Sequence, residues 1–125
     1  MIHTTMQVSG LNMDEYRKQP EQNPGDPYGE VCDTLHNLLT RKRGYYGCPE
    51  EHPLENALGV ADFMDVPAWM YQLGRIVEKL KRCQGLSGAI VHERTRLLRE
   101  TILDIAGHAV VAVAVLDHEE KANES

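Results

Sequence analysis

Arg99–Leu116 reads RETILDIAGHAVVAVAVL. With the residues just before it, this stretch places Val91, Leu98, Ile102, Ile105, Ala109, Ala112 and Leu116 at a spacing of about 3.5 residues, which predicts a long helix over roughly 90–117. Its second half, IAGHAVVAVAVL, is apolar on every side, so the helix must be enclosed by its own domain or by a partner subunit. The competing reading is a buried strand, because Val110, Val111, Val113 and Val115 favour sheets. No second segment offers a strand to pair with it, and the helical period decides the matter.

Working outward, GLSG at 85–88 separates this helix from another predicted over 67–83, whose stripe is Met70, Leu73, Ile76, Val77 and Leu80. PLENALGVADFM predicts a short helix with Leu54, Ala57, Leu58 and Ala61 on one side, and GYYGCPEEHP before it reads as a loop. Val31, Leu35, Leu38 and Leu39 predict a helix over 28–43 that Gly44 ends. Asp26 followed by Pro27 is its start signal, since Asp caps free N–H groups and Pro needs none at the first helical position. Residues 1–27 read as an irregular lead-in, 28–118 as one helical domain, and 119–125 as a frayed charged tail. The expected fold is an all-α four-helix bundle, dimeric through the long C-terminal helix.

A chain of 125 residues is the size of one domain. Its net charge of −6 argues against a dedicated nucleic-acid binder. The charge is uneven: Arg75–Asp104 holds seven bases against four acids, a local +3 that leaves −9 for the remainder. Cys32, Cys48 and Cys83 form no CxxC pair, so neither a disulfide framework nor a zinc site is expected, and a reducing cytoplasm fits. The N-terminal sequence lacks signal-peptide features, and the longest apolar run, Ala109–Leu116, is too short to span a bilayer.

Arg96, Glu100, Asp104 and His108 follow at intervals of four and form one polar stripe on the long helix. The plain reading is a solvated face with an Arg96–Glu100 ion pair. Asp104, however, runs into the all-apolar half, and a carboxylate there needs a cation or a metal as partner. Glu78 lies among bases in RIVEKLKR and can pair with Arg75 or Arg82. If the two long helices pack antiparallel across GLSG, Glu78 can also face Glu100 and Asp104. Three converging carboxylates would require a counter-cation, and all-oxygen ligands select Mg²⁺ or Mn²⁺. Arg75, Lys79, Lys81, Arg82, Arg96 and Arg99 then suit the phosphates of a nucleotide.

On these residues the chain resembles the MazG-like all-α nucleoside triphosphate pyrophosphohydrolases, in their small phage and bacterial branch (similar to nucleotide modification associated domain 1). RETILDIAGHAVVAVAVL is similar to the branch's terminal helix, [DE]-[ST]-x-x-D-[LI]-A-G-[YH]-A; RIVEKLKR to its R-[IVL]-x-[DE]-K-x-x-R segment; and RKRGYYGCPEEHPLENALGVA to its K-x-x-x-YG loop and Asn-Ala helix. The likeness covers about residues 30–118. It implies Glu78, Glu100 and Asp104 as metal ligands and catalytic residues, Arg75 and Lys79 near phosphates, and Tyr46 and Asn56 beside the nucleotide; Arg82 and Arg96 are expected there from their charge. The implied activity is Mg²⁺- or Mn²⁺-dependent conversion of a (d)NTP to the (d)NMP and pyrophosphate in a homodimer.

The larger pyrophosphohydrolases carry E-x-x-E on the first metal-binding helix, whereas position 75 here is Arg and position 74 is Gly. One expected ligand is therefore missing. Glu30 and Asp33 are candidate substitutes, with an exposed acidic face as their plain reading. The deficit motivates a second expectation: a catalytically inactive nucleotide-binding or protein-interaction module, engaging a host protein if the chain is of phage origin. Cys48 and His52 are too few ligands for a zinc site. His108 reads as a hydrogen-bonded core histidine, Gly107 as a close helix contact, and Trp69 and Tyr71 as core or interface. No P-loop, dinucleotide-binding glycine pattern or nucleophile elbow occurs.

Overall fold

A computed structural model describes residues 25–45, 47–48, 52–88 and 91–124. Among them the secondary structure is entirely helical: α1 (Pro27–Tyr45), α2 (Glu55–Met64), α3 (Ala68–Gly85), a 3₁₀ turn (Leu86–Gly88) and α4 (Val91–Glu124). Of the lead-in expected over residues 1–27, residues 1–24 lie outside the described residues and Pro27 already belongs to α1.

The helix ends follow local chemistry. Asp26 Oδ1 accepts the Tyr28 N–H at 3.1 Å, and the Asp26 carbonyl accepts the Glu30 N–H, so the Asp-Pro pair starts α1 as its sequence predicts. Gly44 does not end α1. The stop is Gly47, whose φ of +70° closes a Schellman motif: its N–H donates to the Gly44 carbonyl, and the Cys48 N–H donates to that of Arg43. Asp65, with φ +57°, ends α2 in the same way, its N–H and that of Val66 donating to Asp62 and Ala61. The charged tail is helical through Glu124 rather than frayed, because Asp117 onwards simply continues α4.

α3 and α4 pack along each other, and their cross-contacts run antiparallel: Gln72 meets His108 while Lys79 meets Asp104. α2 closes one end. Ala61, Ala68 and Val115 form the core there, surrounded by Leu54, Ala57, Leu58, Trp69 and Val111. The predicted apolar side of α2 and the core reading of Trp69 are thus observed. α1 buries no residue fully and lies against α4 at Gly107, where a Cβ would come within 3.3 Å of Leu39 Cδ2. The glycine is what lets the two helices approach.

α3 and α4 are each built on two heptad seams. On α3, Ala68, Gln72, Arg75 and Lys79 turn inward, while Met70, Leu73, Val77 and Leu80 stay about half exposed. On α4, Thr101, Asp104, His108, Val111 and Val115 turn inward, while Ile102, Ala109, Val113 and Leu116 are exposed. Much of the apolar stripe that announces each helix in the sequence therefore stays exposed in the single chain, with Ala112 buried and Ile76, Leu98 and Ile105 partly so. The inward side mixes Gln72, Arg75, Lys79, Thr101, Asp104 and His108 with apolar residues such as Ala68, Leu103 and Val115. By length and composition α4 could cross a bilayer, but its inward polar residues are engaged by α1 and α3.

Candidate functional site

α1, α2, α3 and α4 line a half-open cavity of about 350 Å³. Its apolar wall comes from α1, from α2 and from the residue before it, with Leu38, Leu39, Leu54, Ala57 and Val60, and is completed by Leu103 and Val111 of α4. Its polar wall holds Lys42, Arg43, Arg75, Asp104, Gln72 and His108, with Asn56 and Tyr71 beside them. Such a division suits a ligand with one flat, weakly polar part and one anionic part.

Asp104 is the electrostatic centre of this wall. Lys42 Nζ of α1 donates to its Oδ1 at 3.0 Å, and Lys79 Nζ of α3 stands 3.7 Å from Oδ2. Its side chain is 27% exposed and that of Lys79 is 19%, so this pair is better shielded than a surface ion pair. The expectation that Asp104 would be partly buried and need a partner is met by two lysines. Those two, with Arg43 and Arg75, outnumber the nearby carboxylates Asp104 and Glu78.

Glu78 and Glu100 are placed differently. Glu78 is bonded to Arg75 at 3.2 Å with its side chain 64% exposed, and Glu100 to Arg96 at 3.2 Å with its side chain 58% exposed. These are the plain ion pairs anticipated for both residues. No group of three His, Cys, Asp or Glu side chains positioned to hold a metal occurs among the described residues. As arranged, Glu78, Glu100 and Asp104 do not form the three-carboxylate set that Mg²⁺ or Mn²⁺ would need. The candidate substitutes Glu30 and Asp33 are exposed on α1.

Of the expected nucleotide contacts, Arg75 and Asn56 line the cavity and Lys79 reaches it through Asp104. Arg82 and Arg96 are exposed outside it, the latter held by Glu100. Tyr46 lies outside the described residues. Cys48 lines the cavity, whereas His52 is exposed. Lys42, Arg43 and Gln72 line the cavity without a role expected from the sequence, while Tyr71, expected in the core or an interface, lines it as well. Lys42 is the first residue of the K-x-x-x-YG pattern and was findable there. Gln72 carries no signal, because a polar residue on a helix registers as surface until its neighbours are known.

His108 is half-buried, and its Nδ1 lies 2.8 Å from Gln72 Oε1. Burial, reinforced by the positive charges of Arg75, Lys42 and Lys79 and opposed by Asp104, holds its pKa below the ordinary imidazole value. It is the hydrogen-bonded interior histidine that the sequence suggested. Comparison of the chain with protein-family models, curated proteins and solved structures yields no match.

Proposed function

We propose that this chain is a MazG-like bundle that binds a nucleoside phosphate in the cavity between its four helices. The observation that carries the reading is the two-sided wall: Leu38, Leu39, Ala57 and Val60 for the base and sugar, and Lys42, Arg43 and Arg75 for the phosphates. Arg presents paired donors to phosphate oxygens and Lys a mobile point charge, so the set suits several phosphate groups in sequence. Calorimetric titration with nucleoside triphosphates, with and without Mg²⁺, tests it. Binding that weakens with salt and survives removal of the metal is expected, and failure of every nucleotide to bind sinks it.

Binding without hydrolysis is favoured by the separation of Glu78 and Glu100 into exposed ion pairs. Hydrolysis to a monophosphate and pyrophosphate is the second reading, supported by the half-shielded Asp104 beside the cavity and the likeness of DIAGHA to the pyrophosphohydrolase motif. Asp104→Asn separates them. In a binding module the substitution removes a negative charge from the phosphate wall and tightens binding. In a hydrolase it abolishes metal-dependent pyrophosphate release.

The dimer expected from the sequence is part of this proposal. Ile102, Ala109, Val113 and Leu116 form an uncovered apolar seam at heptad spacing on α4, and a two-fold contact with the same seam of a second copy would cover both. Light scattering of the purified chain at twice its 14.1 kDa mass is the expected result.

A further inference from the structure

The phosphate contacts make no use of the pair formed by buried Gln72 and half-buried His108. Gln72, on the inner seam of α3, is 5% exposed, and its Oε1 lies 2.8 Å from Nδ1 of His108, one turn beyond Asp104 on α4. Both residues line the cavity. An amide oxygen only accepts, so Nδ1 carries the proton and donates it to Gln72. In a neutral imidazole the remaining nitrogen, Nε2, then holds a lone pair.

Burial first, and then the surrounding charges, hold the pKa of His108 below the ordinary imidazole value. Arg75 and Lys79 of α3 and Lys42 of α1 act on it from the facing helices, against the single carboxylate of Asp104 on its own helix. The cavity residues of α2, Asn56, Ala57 and Val60, carry no charge. Together with burial, three cations against one anion disfavour a further positive charge on the imidazole. A neutral acceptor thus sits in a wall otherwise rich in donors.

We propose that Gln72 fixes His108 as a hydrogen-bond acceptor, so that the ligand must offer an N–H or O–H group at that point of the cavity. The donor would be a ring N–H or amino group of a nucleobase, or a hydroxyl of the sugar. This assignment rests on reading the cavity as a nucleoside-phosphate site and makes His108 the residue that distinguishes a nucleotide from a bare polyphosphate.

The test is calorimetric titration of the full chain with the four ribonucleoside triphosphates, with inorganic tripolyphosphate as the reference lacking base and sugar. His108→Phe keeps a ring of similar breadth and removes the acceptor. It is expected to weaken the best-bound nucleotide by about 3- to 10-fold, the equivalent of one hydrogen bond, while tripolyphosphate is unaffected. A loss graded by base identifies a base donor, and a loss uniform across bases identifies a sugar hydroxyl.

A second variant, Gln72→Glu, places a carboxylate on Nδ1 and stabilises the imidazolium, turning Nε2 into a donor. The nucleotide preference should then change, with the ring nitrogens showing the doubly protonated form by ¹⁵N NMR. Equal losses for nucleotides and tripolyphosphate in His108→Phe, or no loss at all, overturn the proposal. So does a wild-type ring protonated on Nε2 at neutral pH. If no titrant binds wild type, the nucleoside-phosphate reading itself fails, and the acceptor role falls with it.

Discussion

The two seams of α4 share one helix and one spacing yet meet opposite surroundings. The inner seam, Thr101, Asp104, His108, Val111 and Val115, is polar over much of its length and is enclosed. The outer seam, Ile102, Ala109, Val113 and Leu116, is apolar and open. α3 repeats the contrast, with Gln72, Arg75 and Lys79 turned inward against Met70, Leu73, Val77 and Leu80 outside. Burial is worth about 25 cal/mol per Å² of apolar surface, so the outer seams leave apolar area uncovered even though Ala68, Leu103, Ala112 and Val115 are buried. The arrangement is intelligible if the polar seam serves a ligand and the apolar seam serves a second copy.

The largest test of the contrast is a matched pair of charges. Val115→Asp buries a carboxylate at a position with no exposure and should abolish the cooperative thermal transition followed by circular dichroism. Val113→Asp, two residues away and 57% exposed, should keep the helical signal and give a monomer by light scattering. A folded Val115→Asp, or a Val113→Asp that stays dimeric, breaks the comparison.

Next in size, Val115→Ala should cost about 2 kcal/mol through lost burial and the cavity left behind, lowering Tm by about 10 °C. Asp104→Asn removes the shared counter-charge of Lys42 and Lys79 and should cost about 1 kcal/mol in urea unfolding, an effect that shrinks with added salt. Arg96→Gln breaks only the exposed pair with Glu100 and should stay within about 0.5 kcal/mol of wild type in the same assay.

A pH series sharpens the inner side further. The folded-state pKa of His108 is depressed, so the unfolded chain binds its proton first and stability falls as the pH drops through the ordinary histidine range. Tm should decline from pH 7.5 to 5.5 in wild type, and less steeply in His108→Phe. An equal decline in both proteins would show that other groups govern the acid side.

Helix positions were legible in the sequence wherever chemistry is local. The Asp26-Pro27 start, the break at GLSG and the apolar side of α2 each depend on a few neighbouring residues. The end of α1 was misread because Gly44 and Gly47 are both plausible stops, and only the hydrogen bonds of Gly47 and Cys48 separate them. The orientation of α3 and α4 was not legible. Periodicity shows that Met70, Leu73, Val77 and Leu80 share a face, but not whether that face meets its own chain or another.

The site divides in the same way. Ion pairs within one helix, Arg75–Glu78 and Arg96–Glu100, follow from spacing and were anticipated. The contacts that build the cavity, Lys42 to Asp104 and Gln72 to His108, join residues 62 and 36 positions apart, and no local pattern specifies such pairs. Convergence of Glu78 with Glu100 and Asp104 was a tertiary expectation drawn from local signs, and the arginines one turn away claimed both glutamates instead.

Asp104, held by lysines from two other helices, acts as the cavity's resident anion. If the cavity takes an anion as proposed, that anion would exchange against a carboxylate already tethered there, whose local concentration no solute in free solution approaches. Chloride or bicarbonate, with one charge, gains nothing from that exchange. On the proposed reading a chain of phosphates that engages Lys42, Lys79 and the nearby arginines at once would gain, and the same charge cluster that ties three helices together would set a threshold of charge for entry.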